Sequence, residues 1–373
     1  MTTVATRQRV PFVNLGRQLE QLRPDLIAAF EMVLDSRAFI KGPHVAAFEA
    51  AFAEAVGVPH AVGCANGTAA VSLALQAAGI GPGDEVVVPS LTFFATGEAV
   101  CHVGATPVFC DIDPDSYTID PRALERCLTP RTRAMVPVHL YGTPCDMDSL
   151  LAIAADHDLA VIEDCAQAHF ATYRGRMVGG IGTAGSFSFF PGKNLGALGD
   201  AGMVVTSDED LARSVGKLAD HGRLSKYEHD VIGYNQRLDG LQAALLSVKL
   251  PHLADWTARR RRVARLYDAR LRPAGIKTIT PPPGADPVHH LYVIEVDDRP
   301  AVAARLAGMG VETGVHYPCP LHRQPAFRSL HGDRSLPHAE RAAARVLSLP
   351  ICGEITDDEA EYVCDRVLEV VRS

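Results

Sequence analysis

No apolar stretch in this chain approaches the roughly 20 residues needed to cross a bilayer as a helix. The segment Met1–Arg9 is polar and lacks the apolar core of a signal peptide. Positive charge is in short supply, with 36 Lys and Arg against 44 Asp and Glu for a net charge of −8. That balance argues against a general nucleic-acid binder, which needs a basic face to displace counterions. A local basic pocket for a small phosphorylated molecule stays compatible with it. The nine cysteines are odd in number and include no C-x-x-C pair, so neither a zinc site nor a dithiol redox centre is indicated. Most of them sit in apolar runs, where cysteine behaves as a small hydrophobe. Repeats, low-complexity tracts and disordered composition are all lacking. These absences lead to the expectation of a soluble cytoplasmic protein without a metal, binding neither membrane nor nucleic acid.

What is present is a long α/β pattern. A length of 373 residues exceeds what one core usually supports, so two domains are expected. Strands are predicted at His60–Ala65, Glu85–Ser90, Pro107–Asp111, Ala134–His139, Ala160–Asp164, Ser186–Phe190 and Met203–Thr206. Several are apolar throughout, as in strands covered on both faces. Helical segments between them include Thr68–Ala78 and Asp146–Asp158, and this alternation predicts a mostly parallel seven-stranded sheet. Ligands on such sheets gather at the carboxyl ends of the strands.

After Asp208 the pattern turns helical, at Glu209–Ala219, Leu238–Leu250 and a long Arg-rich helix from Leu253 to Leu271. Pro281-Pro282-Pro283-Gly284 reads as a turn or linker. Beyond it a strand at Val288–Val296, a helix at Ala301–Met309, a strand at Gly314–Tyr317 and a helix at Asp357–Val371 make a smaller α+β unit. The expected division is 1–250 for an N-terminal arm and large domain, and 251–373 for the long helix and small domain.

Chemistry concentrates at the predicted strand ends. In Ser186-Phe187-Ser188-Phe189-Phe190-Pro191-Gly192-Lys193, alternation places Ser186, Ser188 and Phe190 on one face and Phe187 and Phe189 on the other. The strand breaks at Pro191-Gly192 and presents Lys193. Such a lysine binds phosphate as a point charge, forms a Schiff base if burial lowers its pKa, or is an ordinary solvated loop residue. Ala160–Asp164 ends in two carboxylates, and a buried carboxylate must be paired. The protonated pyridine nitrogen of pyridoxal 5'-phosphate (PLP) is one such partner; helix capping by Asp164 is the plainer alternative. Gln167, one turn on, is placed to donate to the phenolic oxygen of that ring. Asn66-Gly67-Thr68 lies at a strand-to-helix junction, where unpaired N–H groups favour phosphate. It is neither a Walker A loop nor a G-x-G-x-x-G fingerprint. Phe93, past the second strand, reads as a stacking ring or as a core residue.

Taken together, Glu163-Asp164-Cys165-Ala166-Gln167-Ala168-His169, Ser186 to Gly196, Gly233-Tyr234-Asn235-Gln236-Arg237-Leu238-Asp239 and Val315-His316-Tyr317-Pro318 resemble the DegT/DnrJ/StrS family of PLP-dependent nucleotide-sugar aminotransferases. The resemblance runs from Val10-Pro11-Phe12 to Leu349-Pro350. It implies the aspartate-aminotransferase fold (PLP fold type I), with Lys193 as the covalent anchor and Asp164 on the pyridine nitrogen. Gln167 is implied at the phenolic oxygen and Phe93 over the ring, with Gly67, Thr68 and Ser188 at the phosphate. Asn235 is expected to reach the cofactor of a partner subunit, making a homodimer with shared sites. His316, Tyr317 and His322 fall where the family contacts its sugar, or are ordinary strand-end and loop residues.

Phe170 follows His169 where the family often has glycine, and the larger ring either packs into the sheet or narrows the pocket. The implied activity is transamination from an amino donor, with glutamate expected in that role, to a keto-sugar nucleotide in amino-sugar biosynthesis. The segment Pro191 to Asp200 resembles the branch acting at sugar C3, on a 3-keto-6-deoxyhexose. A keto-inositol acceptor in aminocyclitol formation and a non-catalytic sugar-nucleotide-binding regulator are the alternatives. The Arg259-Arg260-Arg261-Arg262 run suggests diphosphate binding, but on a long helix such a run is more often a solvated face.

Overall fold

A computed structural model describes residues 8–331 and 334–371; most of the polar Met1–Arg9 segment lies outside them. The seven expected strands form one sheet: β1 (His60–Cys64), β2 (Glu85–Pro89), β3 (Thr106–Cys110), β4 (Thr132–Met135), β5 (Ala160–Asp164), β6 (Ala184–Ser188) and β7 (Gly202–Thr206). Their order is β1-β7-β6-β5-β4-β2-β3, and only β7 runs against its neighbours. Strand β4 is shorter than the run Ala134–His139 suggested. Pro137 has no N–H for the ladder, and only the isolated bridge of Val138 to Asp164 carries the pairing on.

Two helices precede the sheet that strand patterning does not reveal, α1 (Leu15–Ser36) and α2 (Pro43–Val56). Helix α2 presses Phe48 and Phe52 edge-on to Phe187 and Phe189, with ring centroids 5.0–5.4 Å apart. Alternation along β6 thus works as expected: its phenylalanines enter the core and Ser188 faces the opposite side. Helix α3 (Gly67–Ala77) follows β1 directly, and α4 (Phe94–His102) follows β2.

The chain beyond Leu250 begins with the long helix α5 (Leu253–Leu271). Strand β8 (Tyr292–Glu295) pairs antiparallel with β9 (Val346–Leu349), flanked by α6 (Arg299–Gly308) and α7 (Asp357–Val371). A separate hydrophobic cluster around Tyr267, Ile294, Leu347 and Val363 fills this unit. The strand expected at Gly314–Tyr317 reduces to one bridge, Gly314 to Ser348, and β9 takes its place in the ladder. The chain leaves the ladder after Gly314, and the His316 ring instead bonds the Ser348 hydroxyl through Nδ1 (2.9 Å).

Candidate active site

The carboxyl ends of β1, β2, β5 and β6 open on one cavity of about 840 Å³. Asn66 accepts from the Ala69 N–H (2.9 Å) and so caps α3. Gly67 and Thr68, the first residues of that helix, line the cavity, and their N–H groups have no acceptor within the helix. A Cβ on Gly67 would lie 2.6 Å from the Ser188 Cβ. Only glycine lets the helix end and the β6 end meet this closely, which builds an anion cradle from backbone N–H groups and the Ser188 hydroxyl.

Asp164 ends β5 and is buried. Its Oδ2 accepts from Thr96 Oγ1 (2.9 Å) and its Oδ1 from the Ala166 N–H (3.1 Å). No helix follows it, so helix capping is ruled out. A buried carboxylate with two neutral donors and no cationic side chain in ion-pair contact among the described residues fits a cationic ring nitrogen. Glu163, one residue earlier, faces the other way and accepts from His139 (3.0 Å) and from the N–H groups of Gly179, Ile181 and Gly182 (2.7–2.9 Å). Burial alone would push its carboxyl up, yet the bonds from His139 and these amides hold it below the usual range. Glu163, His139 and Cys165 lie close enough together to suggest a metal, but the Glu163 oxygens are already occupied by N–H donors.

Lys193 lines the same cavity. Burial pushes its ammonium down to about 8, with the Asp164 charge opposing. Phe93 is 56 % exposed at the cavity wall, which excludes the core reading. Gln167 is fixed at both ends: Oε1 accepts from the Tyr141 N–H (2.7 Å) and Nε2 donates to Tyr317 Oη (2.9 Å). His316 lines the cavity, stacked on Phe12 and hydrogen-bonded through Nδ1 to Ser348 Oγ (2.9 Å). Burial and the Lys193 charge push its imidazole down to about 4.

Two expected residues stand elsewhere. His322 is buried away from the cavity, its Nδ1 on Ser90 Oγ (2.6 Å) and its Nε2 on Glu340 (2.9 Å), so both nitrogens are engaged in a structural latch. Asn235 is exposed and outside this protomer's cavity, whereas its neighbour Gln236 lines it. Phe170 does not narrow the pocket; it packs against the large core with φ of 67°, a left-handed conformation that suits glycine.

Sequence reasoning missed Thr96, His290 and Arg260. Thr96 carries a weak signal, as a hydroxyl three residues beyond Phe93. The arginine run is not a uniform solvated face either, because Arg260 is buried and lines the cavity.

A lysine and a buried acid at the ends of adjacent strands, beside an anion cradle, are the parts a PLP enzyme requires. The family model of the DegT/DnrJ/EryC1/StrS aminotransferases matches residues 20–368. The chain belongs to this family. A pleiotropic regulatory protein of Geobacillus stearothermophilus is 46% identical over 97% of this chain and 99% of its own. A UDP-N-acetyl-3-dehydro-alpha-D-glucosamine 3-aminotransferase of Acidithiobacillus ferrooxidans is 45% identical, covering 97% of each. A dTDP-3-amino-3,4,6-trideoxy-alpha-D-glucose transaminase of Streptomyces venezuelae is also 45% identical, over 99% of this chain and 98% of its own. The crystal structure of S. venezuelae DesV superposes with a TM-score of 0.95 at 45% identity, covering 98% of this chain and 99% of that one. The NtdA structure from Bacillus subtilis, solved with bound pyridoxamine phosphate, superposes with a TM-score of 0.92 at 30% identity, over 99% of this chain and 87% of that one. This aminotransferase therefore has the fold-type-I architecture and uses PLP.

Proposed function

We propose that this aminotransferase moves an amino group from glutamate to C3 of a keto-hexose carried on a nucleoside diphosphate. The observation that carries the reading is the pairing of Lys193 with Asp164 at the ends of β6 and β5, facing one cavity. The UDP-sugar 3-aminotransferase and the dTDP-3-amino-sugar transaminase reported above support C3.

Lys193 is proposed to hold the cofactor and Asp164 to keep its ring nitrogen protonated. The Gly67 and Thr68 amides and Ser188 would bind the phosphate, Phe93 would cover the ring, and Gln167 would donate to the phenolic oxygen through its second amide hydrogen. PLP, when bound, supplies an electron sink for the pair left at the substrate carbon. Lys193 Nζ, when free and neutral, would take and return the proton at the substrate carbon; a pKa lowered by burial puts its neutral form within reach at neutral pH. His316 and Tyr317, which line the same cavity, would contact the sugar.

The protein is proposed to work as a homodimer. Helix α1 buries Leu22, Leu26, Ala29 and Val33 on one face and exposes Ile27, Phe30 and Leu34 on another. Leu224, Tyr227 and Ile232 are exposed in the loop before Asn235. Apolar surface of this extent suits a subunit contact, and Asn235 would complete the partner's site there. A boundary at 250/251 is supported by the cluster around Tyr267, Ile294, Leu347 and Val363, whose buried members apart from Val10 all lie beyond it. No helix among the described residues is long and apolar enough to cross a membrane, which agrees with the proposed place in the cytoplasm.

The test is to incubate the pyridoxamine form with a panel of keto-sugar nucleotides and keto-inositols and follow return of the pyridoxal form. Return with a 3-keto nucleotide sugar supports the assignment; return only with a keto-inositol overturns it.

A further inference from the structure

Arg259, Arg261 and Arg262 have carboxylate partners, Asp357, Asp286 and Asp357 respectively. Arg260 has none among the described residues, although it is only 6 % exposed. Its hydrogen bonds all leave from Nη1, to the carbonyls of His289 and His290 (both 3.2 Å) and Ile351 (3.1 Å). Its Nε is buried without a partner. A guanidinium stays charged in proteins, and this one has no carboxylate in ion-pair contact among the described residues; the Glu354 charge acts on it from farther off and does not offset its burial. Arg260 is also the one arginine lining the cavity among the described residues. It is joined to the Lys193 loop through a single residue: His290 hands its carbonyl to Arg260 and bonds Asn194 Oδ1 through Nδ1 (3.1 Å).

We propose that Arg260 binds a carboxylate of the amino donor, and of the keto acid it becomes, next to Lys193. This rests on the aminotransferase reading and adds the group that recognises the donor. A buried, unpaired guanidinium suits such a ligand because an anion entering a dry site gains more from it than in water. The nucleotide sugar is the competing anion, so the two half-reactions separate the cases.

The experiment uses Arg260→Lys and Arg260→Gln holoenzymes, with folding checked by the bound-cofactor spectrum. Conversion of the pyridoxal to the pyridoxamine form is followed in single turnover against glutamate concentration. The reverse conversion is followed with the keto-sugar nucleotide. Glutarate, a dicarboxylate with no amine, is titrated by calorimetry as a readout independent of turnover. The glutamate half-reaction should need about 10- to 100-fold more glutamate, the worth of charge-assisted bonds. Glutarate should weaken alike, while the sugar half-reaction changes by less than about twofold. Replacing glutamate by alanine tells which carboxylate is read: an equal loss with both marks the α-carboxylate, a loss with glutamate alone the distal one. Unchanged glutarate and glutamate binding, or equal loss in both half-reactions, overturns the proposal. Where Arg260→Gln does not fold, Arg260→Lys keeps the cation but not the planar fork, and the glutarate titration decides. A wild-type enzyme inert to every amino donor refutes the aminotransferase reading instead, and glutarate binding still judges Arg260.

Discussion

Only the neutral amine of Lys193 is a nucleophile, so its lowered pKa has a measurable sign. The ammonium form dominates below about 8 and the free amine above it. At pH 7 about a tenth of such lysines are neutral, against well under a thousandth for an ordinary one. Capture of PLP by the cofactor-free protein should therefore accelerate as pH rises from about 6 and level off above about 9. Stopped-flow absorbance would show it, and a rate still climbing steeply at pH 10 would contradict it. Lys193→Ala should show no covalent capture at any pH. Asp164 was legible because it ends a conspicuous strand, and Lys193 because it stands in the turn just past one. Arg260 was not, because its burial depends on segments at 289–290 and 351 that the sequence does not place beside the helix. His322 misled for the reverse reason: a histidine in a family-like position is held shut by Ser90 and Glu340, contacts that only folding creates.

At the scale of elements, the sheet was readable because its strands are short apolar runs bounded by turn residues. The helices α1 and α2 were hidden by their own composition. Helix α1 is apolar on two faces, which blurs the single stripe expected of a surface helix. Strand β9 follows a helix with no turn signal between. The junction of β5 with the loop at 179–182 rests on Glu163, whose acceptors meet three backbone N–H groups and His139. Glu163→Ala should destabilise the protein by about 3–5 kcal/mol, because it strands those donors in the core. A fall in the urea midpoint would register it, and a change below about 1 kcal/mol would show the donors find other partners. Since the folded carboxyl lies below its usual range, this contribution is present above pH 4.5 and is lost as pH falls through the lower folded value. The α3–β6 junction is equally exacting: Gly67→Ala should cost about 1–3 kcal/mol of overpacking and weaken phosphate binding with it. Thermal unfolding with and without PLP would separate those two losses.

For the whole molecule, the outward face of α1 is the strongest indication of assembly. Phe30→Asp should break the proposed dimer into monomers in sedimentation velocity and lower turnover, because the proposed role of Asn235 needs a partner site to complete. A fully active monomer would refute the shared site. The Glu163 clasp has another consequence, visible when protons are exchanged for deuterons. The amides of Gly179, Ile181 and Gly182 belong to a connecting loop, and loops normally trade their hydrogens with solvent in the native state. Here each is held by a carboxylate with no solvent exposure, so none can be released without opening the sheet. In an exchange map this loop should keep its hydrogens as long as the central strands do, a patch of slow exchange in a segment without regular secondary structure.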